Sequence, residues 1–167
     1  PVRDMALFGN YKDKELYVNR GAAGIDGITS TAIGLSQVLD KTGVLFIGDI
    51  AFLHDSNALL SKEYVNRPLV IIILNNGGGT IFRMLPVYKL KEKHRTYFET
   101  PQSVRIVSLC RAYSVAHTLV TRPEQLITSF EQAIEKKGIQ VIECLTDADD
   151  SMLERHKLWN FSSEASP

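Results

Sequence analysis

Gly43-Val44-Leu45-Phe46-Ile47-Gly48 runs directly into Asp49, and Leu69-Val70-Ile71-Ile72-Ile73-Leu74 runs directly into Asn75-Asn76-Gly77-Gly78-Gly79. Each run is short, continuously apolar and closed by polar or turn-forming residues, and the second is dominated by β-branched side chains. A half-exposed strand would alternate. Continuous runs of this length are the pattern of strands buried on both faces, as in parallel sheets. Between them Ala58 to Val65 reads as a helix, which Arg67-Pro68 breaks. Strand, helix, strand predicts a right-handed crossover joining two parallel strands.

The flanking sequence extends the same plan. Thr29 to Leu39 is small and apolar, with Ala32, Ile33, Gly34, Leu35 and Val38 suited to a closely packed helix. Upstream of it, Tyr17-Val18 is expected to open a short strand that ends in the turn Asn19-Arg20-Gly21-Ala22-Ala23-Gly24-Ile25-Asp26-Gly27. Val104 to Tyr113 reads as a helix and His117 to Thr121 as a strand. Pro123 to Lys137 carries Leu126, Ile127, Phe130 and Ile134 at helical spacing, with Thr121 and Glu124 placed as a capping box. Gln140 to Thr146 is a further strand, the tail after Asp147 adds a terminal helix, and the polar, basic stretch Pro86 to Glu99 is expected to be irregular. Helices alternating with strands predict an α/β fold, a mainly parallel sheet between helical layers in a three-layer αβα arrangement.

Composition narrows the classes. The chain has 167 residues, 44% apolar and 23% charged, with 19 basic residues against 19 acidic. That length predicts one domain spanning 1–167 at roughly 100–200 residues per domain, able to bury about 70% of its unfolded surface without disulfides. The longest apolar run, Leu69 to Leu74, falls far short of the roughly 20 residues of a membrane span. Balanced charge provides no field to recruit nucleic acid. Cys110 and Cys144 lie in apolar contexts without a pairing motif, which predicts buried reduced thiols in a cytosol-like compartment. The chain starts at Pro1 and runs straight into Val2-Arg3-Asp4, which fits a piece of a longer polypeptide.

In open α/β sheets, ligands sit outside the carboxyl ends of the strands. Three such ends carry polar or glycine-rich sequence here: 19–27, Gly48-Asp49 and 75–79. Asp49 and Asn76 are 27 residues apart, the length of one crossover, so both are expected at the same edge of neighbouring strands. A carboxylate, a carboxamide oxygen and a glycine-loop carbonyl form an all-oxygen set, which suits Mg²⁺ sharing its sphere with substrate phosphates. Gly77-Gly78-Gly79 would let a phosphate approach the backbone without meeting a Cβ. Each element alone is a turn; their combination after two buried strands is what points to a Mg²⁺–diphosphate site. Neither a Walker A loop nor a G-x-G-x-x-G after a strand is present.

Gly48-Asp49 followed by Asn75-Asn76 resembles the thiamine diphosphate-binding motif, which begins with Gly-Asp and ends in Asn-Asn. Three stretches in order resemble one branch of that superfamily: 19–27, then Gly48-Asp49-Ile50-Ala51-Phe52-Leu53-His54-Asp55-Ser56-Asn57, then Asn75-Asn76-Gly77-Gly78-Gly79-Thr80-Ile81-Phe82-Arg83-Met84-Leu85-Pro86. The branch is the 2-succinyl-5-enolpyruvyl-6-hydroxy-3-cyclohexene-1-carboxylate synthases of menaquinone and phylloquinone biosynthesis. The resemblance runs from Val2 to about Thr146.

That resemblance implies the thiamine diphosphate-binding fold, in its diphosphate-binding domain, with thiamine diphosphate and Mg²⁺ as cofactors. Asp49, Asn76 and the Gly78 carbonyl would hold the metal. Gly48, Ile50, Ala51 and Gly79 would lie along the cofactor, and Ile25 would prop it in its bent form. Arg3 and Arg20 would grip substrate carboxylates, a task suited to a planar, permanently charged fork. Ile81, Phe82 and Leu85 would wall the reacting carbon. The implied reaction decarboxylates 2-oxoglutarate and adds the succinyl carbanion equivalent to isochorismate. It needs a pyrimidine-binding domain carrying an activating glutamate, supplied by a partner subunit of a homodimer or homotetramer, so this part alone is expected to be inactive. The implied compartment is the cytoplasm, or a plastid or peroxisome in a eukaryote.

Ala23 and Ala51 stand where this family often has serines, and Thr80 takes the last position of the usual triple-glycine run. Those departures keep two other readings open: another 2-oxoacid enzyme of the acetolactate synthase type, and a non-catalytic assembly domain. His54-Asp55 invites a dyad, but adjacent residues point apart, and Asp55 fits a helix N-terminus better. His94 is expected on a solvated basic face, and neither His117 nor His156 has metal-ligand spacing.

Overall fold

The computed structural model describes residues 1, 4–6, 9–12, 14–19, 21 and 24–164, the last five without their side chains. α1 (Ile28–Val38) leads to β1 (Gly43–Gly48), and α2 (Asp49–His54) starts where β1 ends. A 3₁₀ segment, Ser56–Tyr64, precedes β2 (Pro68–Asn75). After β2 the chain passes through two 3₁₀ turns, Thr80–Met84 and Pro86–Leu90, then a single α turn, Glu92–His94, and a π turn, Arg95–Glu99, so the stretch expected to be irregular over 86–99 is a series of short helical turns. Then come α3 (Ile106–Ala112), β3 (Ala116–Val120), α4 (Pro123–Ile134), β4 (Gly138–Leu145) and α5 (Ala148–Glu164).

The four strands are all parallel, in the order β1-β2-β4-β3. β2 is central and buried on both faces. Leu69, Ile71 and Ile73 join one core with Ile33, Phe52, Leu59, Ile106 and Cys110, contributed by α1, α2, the 3₁₀ segment and α3. Val70 and Ile72 join a second core with Ala133 of α4 and Ile142 of β4, against which Leu74, Leu126 and Phe130 pack. The period-2 alternation of a strand thus feeds two helical layers. Connections after β1 and β2 run over the first face, and the connection after β3 runs over the second. Strand direction across the sheet and face therefore reverse together at the connection from β3 to β4. Among the described residues no helix is long and apolar enough to cross a membrane.

Several expectations need correction. β1 is not buried on both faces: Leu45 and Ile47 enter the first core, but Val44 and Phe46 on the other side are 42% and 40% exposed. β1 is an edge strand, and the second-layer helix α4 packs on β2, β3 and β4 instead. Residues 14–19 form no strand, and Leu16, Tyr17 and Val18 are exposed. The segment read as a helix over 58–65 is a 3₁₀ helix, Ser56–Tyr64. The α4 cap is shifted by one residue: Gln125 Oε1, not Glu124, accepts the N–H groups of Thr121 and Arg122 at 3.0 and 3.1 Å, because Pro123 takes the first helical position. His94 is fully buried. Its ring stacks on Phe98 at 5.5 Å and meets Tyr88 edge-on at 5.2 Å.

Candidate functional site

Gly48 pairs in register with Leu74, so Asp49 and the 75–79 loop leave the sheet at the same carboxyl edge. Asp49 is 6% exposed. Its Oδ2 accepts the Gly78 N–H at 2.7 Å and its Oδ1 the Ile50 N–H at 2.9 Å. No cationic side chain among the described residues pairs with it. Burial pushes its pKa up, opposed only by backbone N–H groups. A buried carboxylate with dipoles but no counter-ion is an arrangement that a divalent cation would complete.

Thr80 holds the Asn76 side chain in place. Asn76 Nδ2 donates to the Thr80 Oγ1 at 2.6 Å, and Thr80 is 3% exposed. That bond commits the amide nitrogen and leaves Asn76 Oδ1 without a hydrogen bond from the described residues. The Gly78 carbonyl accepts the Thr80 N–H at 2.9 Å and keeps a second lone pair. Asp49, Asn76 Oδ1 and the Gly78 carbonyl therefore fit a hard cation as an all-oxygen set. Among the described residues no cluster of three or more His, Cys, Asp or Glu competes as a metal site.

Gly78 and Gly79 of the loop meet closely packed backbone. Gly78 has φ +145, and a Cβ on it would lie 2.6 Å from the Glu99 carbonyl oxygen. A Cβ on Gly79 would lie 2.9 Å from the Phe98 carbonyl oxygen, and the Gly79 N–H donates to the Glu99 carbonyl at 2.7 Å. The backbone of 98–99 is thus strapped directly across the loop. Arg83 anchors the strap, donating to both Glu99 carboxylate oxygens at 2.7 and 3.1 Å and to Asp149 at 2.5 Å. The Arg83 guanidinium holds the Glu99 carboxyl below its usual range.

Ile81, Phe82 and Leu85 follow the loop on the 3₁₀ turn Thr80–Met84 and its cap. Phe82 and Leu85 are exposed and Ile81 half-buried, with Phe82 edge-on to Phe98 at 6.0 Å, so an apolar surface does border the glycine loop. Ile25 is 41% exposed in the turn before α1. That turn is tied to the site by Asp55, whose two oxygens accept the N–H and hydroxyl of Ser30 in the first turn of α1, at 2.7 and 2.9 Å. His54 instead points at Asp26, 3.7 Å away, so His54 and Asp55 form no dyad. Ala51 turns its methyl into the core, leaving its backbone N–H as what it can offer a ligand. Arg3, Arg20 and Ala23 lie outside the described residues.

Three features went unread in the sequence: the 98–99 strap, the Arg83–Glu99 pair, and a buried polar row behind the loop. In that row Glu143 of β4 accepts from Asn75 Nδ2 at 2.6 Å and bonds His117 Nε2 at 2.7 Å. Only the strap left a sequence signal, a run of three glycines longer than a turn requires. Cys110 and Cys144 are both free and buried. Burial and the nearby Glu143 charge push the Cys110 thiol up to about 11, so it is no nucleophile at neutral pH.

The family model for the thiamine pyrophosphate enzyme C-terminal TPP binding domain matches residues 4–144. The chain is 35% identical over 162 residues to the 2-succinyl-5-enolpyruvyl-6-hydroxy-3-cyclohexene-1-carboxylate synthase of Lysinibacillus sphaericus, covering 96% of this chain and 28% of that protein. Against the synthase of the same name from Haloarcula marismortui it is 40% identical over 163 residues, 95% of this chain and 27% of the relative. Against that of Synechocystis it is 44% identical over 123 residues, 72% of this chain and 21% of the relative. The chain spans less than a third of the length of these curated relatives. Among solved structures it is similar to the thiamine diphosphate-dependent 4-hydroxybenzoylformate decarboxylase of Rhodococcus jostii, with TM-score 0.59 and 30% identity, over 70% of this chain and 22% of that one.

Proposed function

The chain belongs to the thiamine pyrophosphate enzyme family, as a C-terminal TPP binding domain, and on that premise we propose that it is the Mg²⁺–diphosphate-binding part of a 2-succinyl-5-enolpyruvyl-6-hydroxy-3-cyclohexene-1-carboxylate synthase. The observation that carries the reading is Asp49, a buried carboxylate without a counter-ion, facing a glycine loop whose remaining donors are all oxygen. Identities of 35% to 44% with synthases of that name favour this branch of the family.

In this reading Asp49, Asn76 Oδ1 and the Gly78 carbonyl would hold Mg²⁺, which would neutralise diphosphate charge. Thiamine diphosphate supplies the electron sink that decarboxylation of a 2-oxoacid requires. The chain's own residues bind and orient. Gly48, Ile50, Ala51 and Gly79 would line the cofactor, and Ile25 would pack against it. Arg3 and Arg20 pair with the carboxylates of 2-oxoglutarate and isochorismate. Ile81, Phe82 and Leu85 keep water from the reacting carbon. The reaction releases CO₂ from 2-oxoglutarate and joins its succinyl unit to isochorismate. The activating glutamate comes from a pyrimidine-binding domain of the same enzyme in a partner subunit, within a homodimer or homotetramer, so this part alone does not turn over.

A second reading, another 2-oxoacid enzyme of the family, is favoured by the structural likeness to a 4-hydroxybenzoylformate decarboxylase. The test uses the full-length protein and follows CO₂ release from 2-oxoglutarate with and without isochorismate. Isochorismate-dependent release is expected, and Arg20→Ala should raise KM for 2-oxoglutarate far more than it weakens cofactor binding. Turnover of pyruvate with 2-oxoglutarate left untouched would favour the second reading. A protein that binds no cofactor would be an assembly domain.

A further inference from the structure

Glu143 is a charged side chain in the first core layer, 6% exposed, on β4 of the sheet. A carboxylate in such a place persists only when its oxygens are satisfied. In register, Glu143 sits between Ile73 of β2 and Leu119 of β3. Asn75 is two residues beyond Ile73 and His117 two residues before Leu119, so the three side chains form a diagonal row on one face across β2, β4 and β3. Both carboxylate oxygens are taken: Oε1 by Asn75 Nδ2 at 2.6 Å and Oε2 by His117 Nε2 at 2.7 Å.

The orientation of Asn75 follows from this chemistry. An ionised carboxylate only accepts, so the carboxamide must turn its NH₂ toward Glu143. That turns Asn75 Oδ1 the other way, where it accepts the Gly77 N–H at 3.2 Å. Gly77 has φ +78, and the next amide, Gly78 N–H, is held by Asp49 at 2.7 Å. Two successive loop amides are therefore fixed by two side chains, one on the metal side and one braced from the core.

We propose that Glu143, held by His117, is a positioning residue that sets the glycine loop through Asn75, and so tunes its affinity for Mg²⁺ and diphosphate. This rests on the loop being the diphosphate site. Glu143→Gln keeps the shape but removes the one-way instruction. A carboxamide offers an NH₂ to one neighbour, so Asn75 can flip and set Nδ2 against the Gly77 N–H.

The experiment compares the chain with Asn75→Ala, Glu143→Gln and the double variant. Two readouts are taken: Mg²⁺-dependent thiamine diphosphate affinity by calorimetry, and the ligand-free ¹H–¹⁵N signal of Gly77 with its exchange rate. Partners behind a metal site typically contribute 10–100-fold to its affinity. Each single variant should lose about that much, with the double variant no worse than Asn75→Ala alone. In both singles the Gly77 signal should move and its exchange accelerate. An unmoved Gly77 signal in folded Glu143→Gln, or losses that multiply in the double variant, overturns the proposal. If Glu143→Gln fails to fold, Asn75→Ala decides, since it leaves the Glu143–His117 pair intact; unchanged affinity there also overturns it. If the parent chain binds no cofactor, it is the diphosphate reading that fails, and the Gly77 signal still decides whether Glu143 positions the loop.

Discussion

Replacing Gly78 by alanine isolates the strap across the loop, because its two glycine neighbours serve as controls. At Gly78 both penalties apply: φ +145 is a region that L side chains rarely adopt, and the new Cβ would stand 2.6 Å from the Glu99 carbonyl oxygen. Backbone strain of that kind costs about 1–3 kcal/mol, and forcing an extra methyl against packed backbone about 1–3 kcal/mol more. Gly78→Ala should therefore destabilise by about 2–6 kcal/mol. Gly77→Ala meets open space at φ +78 and carries only the left-handed penalty, about 1–2 kcal/mol. Gly79→Ala has ordinary φ but a Cβ 2.9 Å from the Phe98 carbonyl oxygen, so it carries only the packing part. For a chain of this size each kcal/mol moves Tm by about 2–4 °C. Urea unfolding at constant m, checked by thermal melts, should give the largest loss for Gly78→Ala. Equal losses at 77 and 78 would mean that the 98–99 backbone is not held against the loop, and the account of the glycine run would fail.

His94 has neither ring nitrogen in a hydrogen bond, and its Nδ1 lies 3.3 Å from Glu99 Oε1 in poor alignment. His94→Phe should raise stability by about 1 kcal/mol by removing an unsatisfied polar ring from an aromatic slot, read as a higher urea midpoint; a lower one would show that the Glu99 contact is a working bond. Glu99 has its folded pKa depressed by Arg83, so its contribution is present above its unfolded value of 4.5 and lost as pH falls through the folded one. Arg83→Met should flatten the Tm–pH curve below pH 4.5; an unchanged curve would refute the pairing. Asp49 has the opposite sign. Its raised folded pKa means that stability is lost as pH rises from 3.8 through the folded value, and Mg²⁺ should recover it only at pH values above that transition. Recovery that is independent of pH would contradict the metal assignment.

The parallel sheet was legible because β2 and β4 carry apolar side chains on both faces, and continuous runs of β-branched residues have few other solutions. The same rule misread β1. GVLFIG looks buried throughout, but burial on the second face depends on α4 reaching it, and sequence pattern does not record which strand a helix covers. That Asp49 and the 75–79 loop leave the sheet at one edge was legible from the two apolar runs and the crossover length between them. Their fixing partners were not: Thr80 read as a departure from a glycine run, yet its hydroxyl is hydrogen-bonded to Asn76. Glu143, His117 and Asn75 are scattered over three strands and meet only through the β2-β4-β3 order, which places the third strand at the edge and the fourth inside. His94 sits among lysines in the sequence, but the turn at Arg95–Glu99 folds its ring inward between Tyr88 and Phe98.

The most direct test of the central claim is a thermal-shift titration of this chain and of Asp49→Ala with thiamine diphosphate, each with and without Mg²⁺. A ligand that binds only the folded state, at 100 times its Kd, adds about 2.7 kcal/mol, or about 5–10 °C at this chain length. The predicted result is a shift that needs both Mg²⁺ and thiamine diphosphate and vanishes in Asp49→Ala while that variant stays folded. A shift of the same size without Mg²⁺, or one that survives in Asp49→Ala, would contradict the assignment of the metal to the carboxyl ends of β1 and β2.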